Sequence, residues 1–157
     1  MDEKYFKLIK FLSEKALTLA TAESCTGGLI AKLITDVPGS SRVFIGGVVS
    51  YSNAMKQKLL GVKPETLGKY GAVSEQTVGE MLLGILRVTA ADISVAVSGI
   101  AGPTGGSKEK PVGTVIIGVQ FSEAVKIERY LFTGSREDVR RQCADQVIIL
   151  LQSFFNE

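Results

Sequence analysis

The chain has 157 residues, 45% of them hydrophobic and 22% charged, which fits one globular domain with a buried core and excludes a mainly disordered chain. Eighteen basic and 16 acidic side chains give a net charge of +2, with no basic run of the kind that neutralises a phosphate backbone, so no nucleic acid is expected as a partner. No apolar run reaches the roughly 18 residues of a membrane span, and the opening MDEKYFKLIKFLSEK carries charges where a signal peptide stays apolar. A soluble cytoplasmic protein with no membrane partner is therefore expected.

Taken in chain order, Phe6, Ile9, Leu12 and Ala16 recur at spacings of three and four, which predicts an amphipathic helix over 3–16. Leu17 to Ala22 reads as a strand that enters Glu23-Ser24-Cys25-Thr26-Gly27-Gly28, and helical spacing resumes at Leu29, Ile30, Leu33 and Ile34 until Pro38-Gly39. Val43 to Tyr51 is a β-rich run, and Ser52-Asn53 caps a short helix ending at Gly61. Ser74 opens a helix carrying Val78, Leu82 and Ile85, followed by a buried-looking strand from Ile93 to Ser98. GIAGPTGGSKEKP, from Gly99 to Pro111, is too rich in breakers for regular structure and reads as a binding loop. Thr114–Phe121 and Lys126–Phe132 form a hairpin around Ser122-Glu123, giving one antiparallel pair. Val139, Cys143, Val147, Leu151 and Phe154 make the apolar row of a last helix from Ser135. The alternation predicts a three-layer α/β/α sandwich with a mixed, mostly parallel sheet of about five strands, as a single domain over 1–157.

Two absences narrow the chemistry. There is no histidine, which excludes a Ser/His/Asp triad and His-containing zinc sites within the chain. Cys25 and Cys143 form no CxxC pair, so both read as structural and no metal or other cofactor is expected. GxxxxGK and GxGxxG are both absent, which removes the common nucleotide loops.

Ser24 stands where a strand turns into a helix through Gly27-Gly28. A hydroxyl there can act as a nucleophile, with free amides stabilising an oxyanion. The competing reading is that Ser24 or Thr26 caps the helix. Without histidine the base must be another group. Lys56 sits in the first turn of the Ser52-capped helix, where the macrodipole and partial burial favour the neutral amine. Tyr51 could relay or orient the proton, the alternative being a half-buried sheet-edge aromatic. On the last helix Glu137, Arg141 and Asp145 form a surface ladder, which leaves Arg136 and Arg140 as a pair able to grip a phosphate.

TAESCTGG at 21–28, YSNAMKQKLLGV at 51–62, GAVSEQTV at 71–78 and SGIAGPTGGSKEKPVGTV at 98–115 together resemble the CinA C-terminal-domain family. That family includes nicotinamide mononucleotide amidohydrolases, and the resemblance spans nearly the whole chain. It implies a three-layer α/β/α domain that hydrolyses the carboxamide of nicotinamide mononucleotide to nicotinate mononucleotide and ammonia, in pyridine nucleotide salvage. By that resemblance Ser24 attacks the amide carbon, Lys56 takes the hydroxyl proton and Tyr51 assists. Amides near Thr26, Gly27 and Gly28 form the oxyanion hole, the loop with Gly99, Gly102, Thr104 and Gly105 closes on the ligand, and Arg140 binds its phosphate. Many relatives carry this domain behind a molybdopterin-binding-like domain, and the chain is read here as a stand-alone amidase. The expected partner is a small nucleotide substrate, with self-association into a homo-oligomer left open. The rival readings are a noncatalytic nucleotide-binding module and a regulatory module linked to competence or DNA damage.

Overall fold

A computed structural model describes residues 1–156. The described residues form a five-stranded sheet of β1 (Leu19–Glu23), β2 (Phe44–Val49), β3 (Ile93–Gly99), β4 (Thr114–Phe121) and β5 (Ala124–Leu131), in the order β2-β1-β3-β4-β5. Six helices flank it: α1 (Glu3–Glu14), α2 (Leu29–Thr35), α3 (Asn53–Leu60), α4 (Pro64–Tyr70), α5 (Glu75–Thr89) and α6 (Arg136–Gln152). The result is the three-layer α/β/α arrangement that the alternation implies. Its pairings divide evenly between parallel (β1 with β2 and β3) and antiparallel (β4 with β3 and β5). The second antiparallel pair arises because the segment between β3 and β4 holds no helix to carry the chain across the sheet.

Burial follows strand alternation. On one face Leu19, Val95, Val97, Val115 and Ile117 pack against Tyr5, Leu12, Ile30, Ile34, Val139, Cys143 and Val147 of α1, α2 and α6. On the other, Ala20, Ala22, Ala96 and Ile116 meet Leu60 of α3 and Val78, Met81, Leu82 and Ile85 of α5. The small alanines let that second helical layer lie close. Gly84 brings α5 against the end of α3 so tightly that a Cβ there would drive into the Leu60 carbonyl.

The inward row of α1 is Tyr5, Leu8, Ile9 and Leu12, which keeps Ile9 and Leu12 of the expected stripe, while Phe6 is 40% exposed and Ala16 lies beyond the helix with φ 54°. A tyrosine can occupy that row because its hydroxyl donates to the Ala144 carbonyl at 2.9 Å. Four boundary signals match their helices. Ser52 accepts from Met55 N–H, Gly61 ends α3 with φ 67°, Ser74 accepts from Thr77 N–H, and Ser135 forms a capping box with Asp138. The short helix α4, with Pro64 in its first turn, is an element the apolar spacing did not disclose. Phe154 lies past the end of α6, half-buried against the core.

Candidate active site

Consecutive residues at the end of β1 point to opposite faces, and this divides two roles between neighbours. Glu23 turns toward α2, only 1% exposed. Its carboxylate accepts from the Thr26 hydroxyl at 2.6 Å, from Ile30 N–H at 2.9 Å and from Ala31 N–H at 3.0 Å. Glu23 thus caps α2, whose own N-cap, Gly28, has φ 101° and no side chain to do so. Neither Ser24 nor Thr26 is the cap: Thr26 donates to Glu23, and Ser24 turns to the other face. The turn is held from a second side by Arg140, whose Nε donates to the Cys25 carbonyl at 3.1 Å and whose terminal nitrogen donates to the Thr26 carbonyl at 2.8 Å.

Ser24 Oγ lies 2.9 Å from Lys56 Nζ. Lys56, the fourth residue of α3, is 1% exposed, and its amine also reaches the carbonyls of Ser50 at 2.9 Å and Tyr51 at 3.1 Å. Burial pushes the lysine below its ordinary value. The neutral amine has two N–H groups for those two carbonyls, leaving its lone pair to accept from the Ser24 hydroxyl. That geometry suits a hydroxyl nucleophile and its base. Among the turn's amides, Gly27 N–H donates to the Ser24 carbonyl at 3.0 Å, whereas those of Cys25, Thr26 and Gly28 have no acceptor among the described residues. Of the three residues expected to supply donors, Thr26 and Gly28 have free amides and Gly27 does not, and Cys25, next to the nucleophile, adds another.

Next to this pair is a cavity of about 290 Å³. Cys25 and Tyr51 form one side, Gly99 to Gly102 with Thr104 and Gly105 another, and Arg136 a third. Arg136 donates to the Gly102 carbonyl at 2.9 Å and to the Tyr51 hydroxyl at 3.0 Å. Neither Ser24 nor Lys56 lines this cavity directly; it adjoins them through Cys25, the residue after Ser24, and Tyr51, whose carbonyl holds the Lys56 amine, whereas a larger groove of about 520 Å³ between α4, α5 and Arg129 includes none of these residues. Beneath the turn the thiols of Cys25 and Cys143 meet in the core, where hydrogen bonding and burial raise that of Cys143. Among the described residues no group of three or more His, Cys, Asp or Glu side chains is placed to hold a metal ion, and no helix is long and apolar enough to cross a membrane.

Residues 3–155 match the family described as the CinA C-terminal domain. The chain belongs to that family. It is 51% identical over 157 residues to a CinA-like protein of Thermotoga neapolitana, covering 99% of this chain and 38% of that relative. Among solved structures, a competence/damage inducible protein from Agrobacterium tumefaciens superposes with a TM-score of 0.94 at 40% identity, covering 96% of this chain and 93% of that one. A CinA superfamily protein from Escherichia coli gives a TM-score of 0.93 at 30% identity, with coverages of 96% and 88%.

Within this CinA domain the structure brings Ser24 and Lys56 together and sets Gly99, Gly102, Thr104 and Gly105 around the cavity. It sets two expected residues differently. Arg140 does not line the cavity; its guanidinium is turned to the carbonyls of Cys25 and Thr26. Arg136, one turn earlier, does line it. The Tyr51 ring is 64% exposed with its hydroxyl accepting from Arg136, so Lys56 reaches Ser24 without a tyrosine relay, and it is the Tyr51 carbonyl that steadies the amine. The expected closing loop is already tied down. Ile100 N–H donates to Thr114 O at 2.8 Å, Lys110 Nζ to Tyr70 O at 2.7 Å and Arg129 to Glu109 O at 2.6 Å. Glu23, the residue that composes the turn, passed unnoticed in sequence. The signal for it was a carboxylate at a strand end before a helix whose N-cap position is glycine.

Proposed function

We propose that this CinA-family domain is an amidohydrolase that converts nicotinamide mononucleotide to nicotinate mononucleotide and ammonia, using Ser24 as nucleophile and Lys56 as base. The observation that carries this reading is the buried amine 2.9 Å from a serine hydroxyl, with no histidine in the chain to serve instead. Ser24 Oγ attacks the carboxamide carbon as its proton passes to Lys56. The Cys25 and Thr26 amides receive the oxyanion, and the Lys56 ammonium returns the proton to the departing ammonia. Water then releases the acid from the acyl-enzyme. In the cavity Arg136 faces the substrate's phosphate, and Arg140 keeps the turn in register. No cofactor takes part, and a small cytoplasmic nucleotide is the natural partner.

The words competence and damage in the names of solved relatives favour a second reading, a regulatory or nucleotide-binding module without turnover. Ammonia release from nicotinamide mononucleotide separates the two. Wild-type protein releases ammonia with repeated turnover and Ser24→Ala does not. Retention of the ligand with no ammonia from the wild type would reject the amidase.

A further inference from the structure

Three serines stand abreast at the carboxyl ends of β2, β1 and β3. The last registered partners of Glu23 are Val49 on one side and Val97 on the other. The ladder continues one step, since Ser50 N–H donates to Glu23 O at 2.8 Å and Ser24 N–H to Val97 O at 3.1 Å. Ser50, Ser24 and Ser98 therefore occupy neighbouring positions on adjacent strands, which lie about 4.8 Å apart in a sheet. All three belong to the α3/α5 side. Ser24 touches Lys56 there, Ser98 pairs with Ile116 of that layer, and Ser50 continues the alternation that packs Val48 into it.

Ser50 is the most deeply buried of the three and, unlike Ser24, has no amine at its hydroxyl. It is fully buried, and its hydroxyl has no hydrogen-bond partner among the described residues, although its carbonyl holds the Lys56 amine. A buried hydroxyl without a partner is unfavourable, and such groups in folded proteins are where a water or a reacting group is received. Lys56 Nζ sits between Ser24 Oγ and the carbonyls of Ser50 and Tyr51, on the β2 side of the nucleophile. Of the two serines flanking Ser24, Ser50 therefore lies on the same side as the amine that would activate a water, and Ser98 on the opposite strand.

We propose that Ser50 is a positioning residue for hydrolysis, its hydroxyl holding the water that attacks the acylated Ser24. The inference rests on the amidase reading. In this step the water oxygen bonds to the acyl carbon and a water proton passes to the Lys56 amine. The bond from that carbon to Ser24 Oγ breaks, and the Lys56 ammonium returns the proton to Oγ, leaving the free acid. Ser50 exchanges hydrogen bonds throughout and neither gains nor loses a proton.

The test supplies hydroxylamine as a competing acyl acceptor and measures the ratio of hydroxamate to acid formed from nicotinamide mononucleotide. That ratio reports only the fate of the acyl-enzyme, whichever step limits turnover. Ser50→Ala, with no holder for water but the same amine, raises the ratio at least about fivefold. Ser98→Ala leaves it at the wild-type value. The melting midpoint of Ser50→Ala holds or rises, because the substitution removes an unpaired polar atom and breaks no hydrogen bond. An unchanged ratio in Ser50→Ala, an equal rise in Ser98→Ala, or a melting midpoint lowered by several degrees in Ser50→Ala overturns the role of Ser50 alone. Wild-type protein that forms neither ammonia nor hydroxamate overturns the amidase reading itself.

Discussion

The turn at 24–28 and the loop at 99–113 are both glycine-rich and both border the cavity, yet they are fastened by different means. The turn is gripped by Glu23, buried with three hydrogen bonds, and by Arg140, which holds two carbonyls. The loop is fastened by Lys110 and Arg129 at exposed positions and by Arg136 at a half-buried contact. Charge-assisted hydrogen bonds are strong where water is excluded and weak where it competes. Glycine frees the backbone in both segments, but the depth of the charge that catches it decides how firmly each is set. The nucleophile stands on the firm wall, and the ligand meets the yielding one.

Substitutions can break that contrast in graded steps. Ser24→Ala has the largest effect: loss of a nucleophile costs on the order of 10⁴-fold or more in kcat. Since Glu23 does the capping, stability stays within about 0.5 kcal/mol instead of losing the roughly 1 kcal/mol of a helix cap, as urea titration checks.

Lys56→Met and Lys56→Arg follow, both nearly inactive because neither offers a neutral amine. Wild-type activity rises with pH along a limb whose apparent pKa lies below the ordinary 10.5, since burial disfavours the ammonium. The same shift sets the sign for stability. Between the lowered folded value and 10.5 the unfolded chain binds more protons, so the wild type gains stability relative to Lys56→Met as pH rises through that window. Thermal melts of the two proteins across that range show the gain or reject it.

Glu23→Gln tests the firm wall directly. It places an amide donor against the α2 N–H groups, costs about 2 kcal/mol of stability and lowers kcat more than it raises KM. The paired arginines come next. Arg136→Ala raises KM for nicotinamide mononucleotide about tenfold more than it raises that for nicotinamide riboside, because both lose the Gly102 contact but only the nucleotide has a phosphate to grip. Arg140→Ala lowers kcat for both compounds. Equal behaviour of the two variants would reject the division of labour between them. Lys110→Ala, on the yielding wall, changes stability by less than about 0.5 kcal/mol.

How much of this was legible in the sequence differs residue by residue. The strand, turn and helix around Ser24 and the Ser52-capped helix carrying Lys56 are local patterns, so each could be read where it stands. Their meeting rests on parallel pairing of β1 and β2, which the alternation of elements implies. Arg136 and Arg140 are a different matter. They lie one turn apart, and only the rotation of α6, set by burial of Val139, Cys143 and Val147, decides which of them reaches the cavity. Tyr5 displaced Phe6 from the inward row for a nonlocal reason, its hydrogen bond to Ala144. Glu23 escaped notice because it caps a helix beginning six residues later, a distance at which no capping pattern operates.

The tight seat of Gly84 against Leu60 carries a lesson for anyone ranking positions by their tolerance to change. Leu60 ends the helix that carries Lys56 one turn earlier, so a methyl group added at position 84 displaces the helix along which the amine is aimed. A shift of about 1 Å in such a pair costs on the order of a hundredfold in rate. A survey scored on turnover alone would therefore count Gly84 among the groups that handle the substrate, although it lies on the far side of α3 and meets no ligand.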